Sequence, residues 1–311
     1  MRLKLGRPDL SRHADRFDVP AASDGGMGVT FLGVASLLLD DGGSAVMTDG
    51  YFSRPSLPTV LLRSIAPDEA RIDAALDRLG FGAGGRRLAA VAPVHTHFDH
   101  ALDSAVVAQR TGAVLVGGES AANVGRGGGL DPTRIDVVTP GRPRTYGAFT
   151  LTHVESDHCP PDRFPGTIDA PVVPPVRTGA YRCGEAWSIV VEHTSGRTAL
   201  LQGSAGYVEG ALDGRSAEVA YLGVGQLGVM PEDYIRAYWA QTVEAVGARR
   251  VVLTHWDDFF RGLDAPLRAL PYAGDDLDVT MRVLTGLAQQ QGVALHLPTL
   301  WRREDPWAGL A

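Results

Sequence analysis

His95-Thr96-His97-Phe98-Asp99-His100 directly follows the apolar run Leu88-Ala-Ala-Val-Ala-Pro-Val94. Three imidazoles and one carboxylate within six residues are more metal-binding chemistry than a core or a surface turn calls for. Histidine and aspartate supply the nitrogen and oxygen donors that Zn²⁺ and related divalent ions prefer. A buried strand that delivers such groups at its C-terminal end is the usual way an α/β fold presents a site. The stretch therefore reads as a metal site on an α/β scaffold. Asp99 to Gly112 continues as a helix with glycine at its C-terminal cap.

The pattern resembles the first metal-binding motif of the metallo-β-lactamase-fold superfamily, His-x-His-x-Asp-His at the end of a strand. That resemblance implies that His95 and His97 bind a first metal and that Asp99 and His100 bind a second. Residues two apart in an extended loop point the same way, which suits this division. It also implies three more groups further along: a lone histidine, a bridging Asp in a Gly-Asp turn, and a final histidine after a late strand. His153 and His158 compete for the first. The alternation of Phe149-Thr-Leu-Thr-His-Val154 places His153 inside a strand, while His158 falls in the loop beyond it, so His158 is favoured. Cys159 beside it reads as a bystander. His255, at the end of the β-branched run Val251-Val-Leu-Thr254, is the natural last ligand. It follows a helix over Pro231–Gly247, with Pro231 at the first helical position.

One departure matters. Thr198-Ala-Leu-Leu-Gln-Gly-Ser-Ala-Gly206 resembles the strand and turn that carry the bridging Asp, yet Ser204 stands in its place. Asp99 would then be the single carboxylate facing two dications, and one metal site is expected to be weak. Asp213 is the nearest other acid, in a loop with the look of a turn. Phe31-Leu-Gly-Val-Ala-Ser36 followed by Asp49 looks like the branch holding ascorbate-6-phosphate lactonase and N-acyl phosphatidylethanolamine phospholipase D. Val34 replaces a histidine found there. Asp49, and by the same likeness Asp103, would support metal ligands from behind. Trp256, Asp257, Tyr181 and Tyr207 are candidates for the substrate wall. His13, His193 and His296 read as ordinary.

Composition fits a globular chain of 311 residues, with 44% apolar and 21% charged residues. A net charge of −7 gives no basic footprint for nucleic acid. Two cysteines without a C-x-x-C pattern exclude a zinc ribbon and a disulfide framework. The N-terminus (Met-Arg-Leu-Lys-Leu) has basic residues but no apolar signal core, and no eighteen-residue apolar run occurs, so a cytoplasmic address follows by default. Strands are predicted at Gly28–Gly33, Ala35–Leu39, Ser44–Thr48, Val114–Val116, Ile135–Val138, Trp187–Val191, Val219–Leu222 and Val293–Leu297. Helices are predicted at Pro67–Leu79 and Asp276–Gln291. Gly125–Gly129 reads as a mobile surface loop and Pro171–Val176 as an extended connector. Strands first in antiparallel runs and then alternating with helices suit two packed sheets flanked by helices. The expected fold is a four-layer αββα sandwich forming a single domain over residues 1–311, its core at about 28–300.

The resemblance implies a hydrolase holding one or two Zn²⁺ ions (or Mn²⁺ or Fe²⁺). Metal activates water as hydroxide by lowering its pKa from about 16 toward 7 and polarises the scissile group. Asp99 orients that water as the catalytic carboxylate, and the substrate is an ester, lactone or phosphodiester of a small molecule. The alternative is a degenerate binder without turnover, which the loss of a bridging Asp would allow. A redox diiron protein of the same fold would carry a Glu in the first motif and a fused flavin domain, and neither is present. Oligomeric state is not legible.

Overall fold

Alternate residues of the early strands face opposite ways, and both faces are apolar. Leu37, Leu39 and Val46 join one core, and Leu38, Ala45 and Met47 join another. A sheet with two apolar faces must be covered on both, by a second sheet on one side and helices on the other. The structure, a computed structural model, describes residues 4–23, 25–82 and 85–310. Met1, Arg2 and Leu3 of the N-terminal basic stretch lie outside the described residues.

The first half of the chain runs β1 (Gly28–Phe31), β2 (Leu37–Asp40), β3 (Ala45–Thr48), α1 (Leu57–Leu62), β4 (Ser64–Ile65), α2 (Glu69–Arg78) and β5 (Ala90–Ala92). It continues through α3 (Phe98–Ala101), α4 (Ser104–Thr111), β6 (Val114–Gly117), α5 (Glu119–Gly127) and β7 (Ile135–Val137). The second half holds β8 (Arg144–Tyr146), β9 (Phe149–Ser156), β10 (Val176–Arg177), β11 (Ala186–His193), β12 (Thr198–Gln202) and β13 (Val219–Gly223). It ends with α6 (Glu232–Trp239), β14 (Arg250–Thr254), α7 (Leu277–Gln291), β15 (Ala294–His296) and β16 (Arg303–Glu304).

Two seven-stranded sheets result, ordered β16-β1-β2-β3-β5-β6-β7 and β15-β14-β13-β12-β11-β9-β8. Each is half antiparallel and half parallel. The pairs from β3 to β7 and from β12 to β15 are parallel, and helices make every crossover among them except β12 to β13, which turns alone connect. The largest core lies between the sheets, where Phe31, Leu37 and Val116 meet Leu151, Ile189 and Leu201. Ile72, Leu76 and Val107 of α2 and α4 cover the outer face of the first sheet. This is the αββα sandwich expected. No helix among the described residues is long and apolar enough to cross a membrane.

Three local expectations need correction. The helix predicted over Asp99–Gly112 is broken between α3 and α4, because the Asp103 carboxylate turns away to accept from the Phe52 and Ser53 N–H groups (2.7 and 2.6 Å). Gly125–Gly129 is not a surface loop. Most of it is the end of α5, buried so closely that a Cβ at Gly125 would lie 2.6 Å from the Leu115 side chain and one at Gly127 would lie 1.8 Å from the Val172 carbonyl. Pro231 caps α6 rather than occupying its first turn.

His153 is fully buried in β9 and stands edge-on to Trp187, with ring centroids 5.6 Å apart. Neither ring nitrogen has a hydrogen-bond partner among the described residues, and burial pushes its pKa down to about 4. The unfolded chain binds this proton more readily between pH 6.5 and 4, so stability is lost as pH falls through that window. His153→Leu removes both the unpaired nitrogens and the titration. Relative to the parent, it is expected to gain about 2 kcal/mol more at pH 5 than at pH 8, read by urea denaturation in the presence of chelator. The same difference at both pH values would show that this imidazole is not held neutral by burial.

Candidate metal centre

The ligand candidates meet at one end of the sandwich, past the C-terminal ends of β5, β12 and β14. There the backbone is strained. Asp49 (φ 53°), Val34 (φ 53°) and His255 (φ 59°) all adopt left-handed conformations, which are costly for residues other than glycine and rare for a β-branched one. Hydrogen bonds hold them in place. His255 N–H donates to the Val34 carbonyl (2.6 Å), and Val34 N–H donates to Asp257 Oδ1 (2.8 Å). Asp257 Oδ2 is in turn paired with Arg54 (2.8 Å), both side chains fully buried. Gly203 allows β12 to end against β5, since a Cβ there would lie 2.0 Å from Val94 Cγ2.

Two triads that share no residue form, and a third group links His97 of the first to Asp162 and Cys183. His95, His97 and His158 make the first, and Asp99, His100 and His255 the second, each with its donor atoms within 4.8 Å of one another. In the second triad His100 Nε2 stands 3.1 Å from His255 Nε2, and Asp99 Oδ2 stands 3.4 and 3.7 Å from His255 Nε2 and His100 Nε2. In the first, His95 Nε2 lies 3.2 Å from His97 Nδ1. Ligands arranged tetrahedrally at about 2.0–2.1 Å from an ion lie roughly 3.3–3.4 Å apart, so this spacing fits a divalent metal. The His95 and His100 rings are 3.9 Å apart, so the triads are neighbours. His158, not His153, completes the first group.

At His95 and His158 the protonation state suits ligation, while His100 must give up a proton more readily held. Burial and the surrounding histidines hold His95 well below the usual imidazole range, and burial takes His158 to about 4. His158 Nδ1–H donates to the Cys159 carbonyl (2.7 Å), which leaves Nε2 as the lone-pair nitrogen. His100 Nδ1–H donates to Asp49 Oδ2 (2.8 Å), with the same result. Burial opposes charge on His100, but Asp49 and Asp99 outweigh it and raise its pKa. Burial likewise works against an ionised Asp99, and His100 and His255 more than reverse this, so its carboxylate stays charged. The donor set is thus imidazole lone pairs plus one carboxylate, and it fits zinc or a similar ion.

Asp49 supports His100 as expected, while its other oxygen accepts from Val94 N–H (2.9 Å). Asp103 does not act this way, since its carboxylate is spent on Phe52 and Ser53. Ser204 does lie at the site. It lines the cavity with His97, Asp99, His158 and His255, and its Oγ accepts from Cys159 N–H (3.0 Å). Asp213 is exposed in its turn and does not replace the missing carboxylate. Cys159 is buried with its thiol pushed up to about 12, and belongs to neither triad. Sequence reasoning missed Asp162, whose Oδ1 lies 3.1 Å from His97 Nε2 and matches for His97 what Asp49 is for His100. A lone Asp after two prolines carries no local signal of that role.

The triads open onto a cavity of about 890 Å³, within the usual size for a small-molecule site. Trp256 and Asp257, in the turn after β14, and Tyr181, packed with Tyr51 and Phe98 in a separate cluster, are buried and form none of its wall. Tyr207 lines a smaller adjoining cavity of about 480 Å³ with His158 and Asp162. His193 and His296 sit apart, paired with Asp41 and Asp18.

No family model matches the sequence, and no curated protein matches it. Solved structures do share its architecture. A "possible metal-dependent hydrolase" from Veillonella parvula DSM 2008 superposes with a TM-score of 0.54 at 14% identity, covering 89% of this chain and 99% of that one. A structure from Parabacteroides distasonis ATCC 8503 with the same kind of name reaches 0.51 at 11% identity over 88% and 93%. CmlA, a diiron beta-hydroxylase from Streptomyces venezuelae, also gives 0.51, at 12% identity over 90% of this chain and 54% of its own. At such identities the likeness is one of fold. The fold is shared with proteins named as metal-dependent hydrolases and with a diiron enzyme.

Carboxylates behind ligating histidines fix the ring tautomer and raise ligand basicity, typically by enough to change affinity 10–100-fold. Asp49→Asn and Asp162→Asn are each expected to weaken Zn²⁺ binding at least about tenfold, one at each triad, in titrations against a competing chelator. Unchanged affinity in both variants would rule out these supporting roles.

Proposed function

We propose that this chain is a single-domain metal-dependent hydrolase that cleaves an ester, lactone or phosphodiester of a small molecule. The observation that carries the reading is the pair of adjacent triads, His95–His97–His158 and Asp99–His100–His255, on the floor of an accessible cavity. When bound, a divalent ion activates water and polarises the scissile carbonyl or phosphoryl group. Asp99 lines the cavity and remains ionised. An ionised carboxylate there orients the attacking water by accepting its hydrogen bond. The buried rear face of the site excludes bulk water from the ligands, and substrate enters from the cavity side. The finer placement beside the lactonase and phospholipase D branch rests on Phe31–Ser36 and Asp49.

Ser204 favours a second reading, a binder without turnover. With Asp99 the only carboxylate among six donors, two dications would repel each other with little compensation. A panel of ester, lactone and phosphodiester substrates, assayed with and without chelator, separates the two. Chelator-sensitive turnover is the result expected, and full metal content without turnover on any class would replace the hydrolase with the binder.

His95→Ala and His97→Ala are each expected to strip metal and abolish turnover while the circular dichroism spectrum stays native. Full metal content in both would end the assignment of the site. The parent protein is expected to hold fewer than two tightly bound ions per chain, and Ser204→Asp to tighten the second, as measured by calorimetric titration. Two equally tight ions in the parent, with no gain from the added carboxylate, would show that the missing bridge does not limit the second site.

A further inference from the structure

The cavity carries the opposite charge to the protein around it. The chain has a net charge of −7, yet Arg7, Arg163, Arg177 and Arg268 line the cavity against only two carboxylates, Asp99 and Asp258. That is an excess of two positive charges before any metal is counted. Fields focus in clefts, so such an excess attracts anionic ligands into a protein that otherwise repels them.

Arg7 and Arg268 form the most organised part of this charge. Both converge on one oxygen of Asp258, with Arg7 Nη1 at 3.2 Å, Arg268 Nε at 3.0 Å and Arg268 Nη2 at 2.8 Å. Asp258 is nearly buried, and its other oxygen accepts from Phe260 N–H (3.3 Å). One carboxylate neutralises one guanidinium. The second positive charge is left over, on a pair fixed three residues beyond His255 and facing the cavity. The same cavity has an apolar side. Leu57 and Leu61 of α1, a helix that buries none of its residues, remain 44% and 59% exposed, with Phe164 beside them at 37%. Together with the partly buried Phe259 they form an apolar wall of the cavity.

We infer that the cavity takes an anionic amphiphile, with a carboxylate or phosphate held by the Arg7–Arg268 pair and an apolar chain or ring laid on Leu57, Leu61, Phe164 and Phe259. This builds on the hydrolase reading, since it specifies which esters or lactones that site would accept. Guanidinium pairs recognise both oxyanions through charge-assisted hydrogen bonds.

The test reads the arginines alone. Chelator-treated protein is titrated by NMR with 4-phenylbutyrate, 4-phenylbutyl phosphate and neutral 4-phenylbutyramide, so neither metal nor turnover contributes. At least one of the two anions is expected to bind about tenfold or more tightly than the amide, and the tighter one identifies the oxyanion. Arg268→Gln leaves Asp258 still paired with Arg7, so it removes the surplus charge without stranding a buried carboxylate. It is expected to abolish the preference, while Arg268→Lys retains most of it. Leu61→Ser is expected to weaken all three ligands alike. Equal affinity of the three ligands for the parent protein would overturn the proposal, as would an anion preference that survives both Arg268→Gln and Arg7→Gln. Neither result would touch the hydrolase reading, which stands on turnover of the metal-loaded protein.

Discussion

Asp49 is the residue from which the site is built. Its carboxylate accepts from the Val94 N–H and the His100 imidazole, while its own N–H donates to Ala92 and its carbonyl accepts from the Ser104 hydroxyl. Four bonds thus lock the end of β3 to the end of β5 and to the helix that follows. The left-handed backbone at Asp49 is tolerated because all four are made together. They fix the His100 end of the loop, while Thr96, bonded to the Arg182 and Cys183 carbonyls, fixes its start, and the donors stay within 4.8 Å of one another.

The second half of the chain answers with the same device. His255 is also held in a left-handed conformation, here by Val34, Asp257 and Arg54. A buried ion pair contributes little net stability compared with an apolar replacement, and its value lies in fixing one arrangement. That arrangement is the orientation of a donor. Arg54 keeps two nitrogens without partners among the described residues, a cost the fold carries to hold this turn.

Much of this was legible in the sequence, and the reasons are physical. The short apolar run Ala35–Leu39, ended by an Asp-Gly turn, reads as a strand, and histidines gathered at a strand end carry more metal-binding chemistry than packing calls for. His158, which joins the first donor group, was separable from His153 because strand alternation ended before it. What stayed hidden depends on contacts distant in sequence. The Gly-rich end of α5 reads as loop until Leu115 and Val172 are seen to leave no room for side chains. The helix break at Asp103 follows from Ser53, fifty residues away in sequence, and the roles of Asp162 and of the Arg7–Asp258–Arg268 cluster follow from loop packing that no local pattern encodes.

The ligands come from both sheets: residues 95–100 follow β5 of the first, and His158 and His255 follow β9 and β14 of the second. An ion in either triad therefore acts as a cross-link between the two halves of the sandwich at their open end. An ion held there would add its binding energy to the resistance of the molecule against parting of the sheets. Proteases acting on the metal-depleted chain would find their first openings at this end, in the α1 and Asp157–Phe164 segments that rim the cavity, before the opposite end of the sandwich loosens.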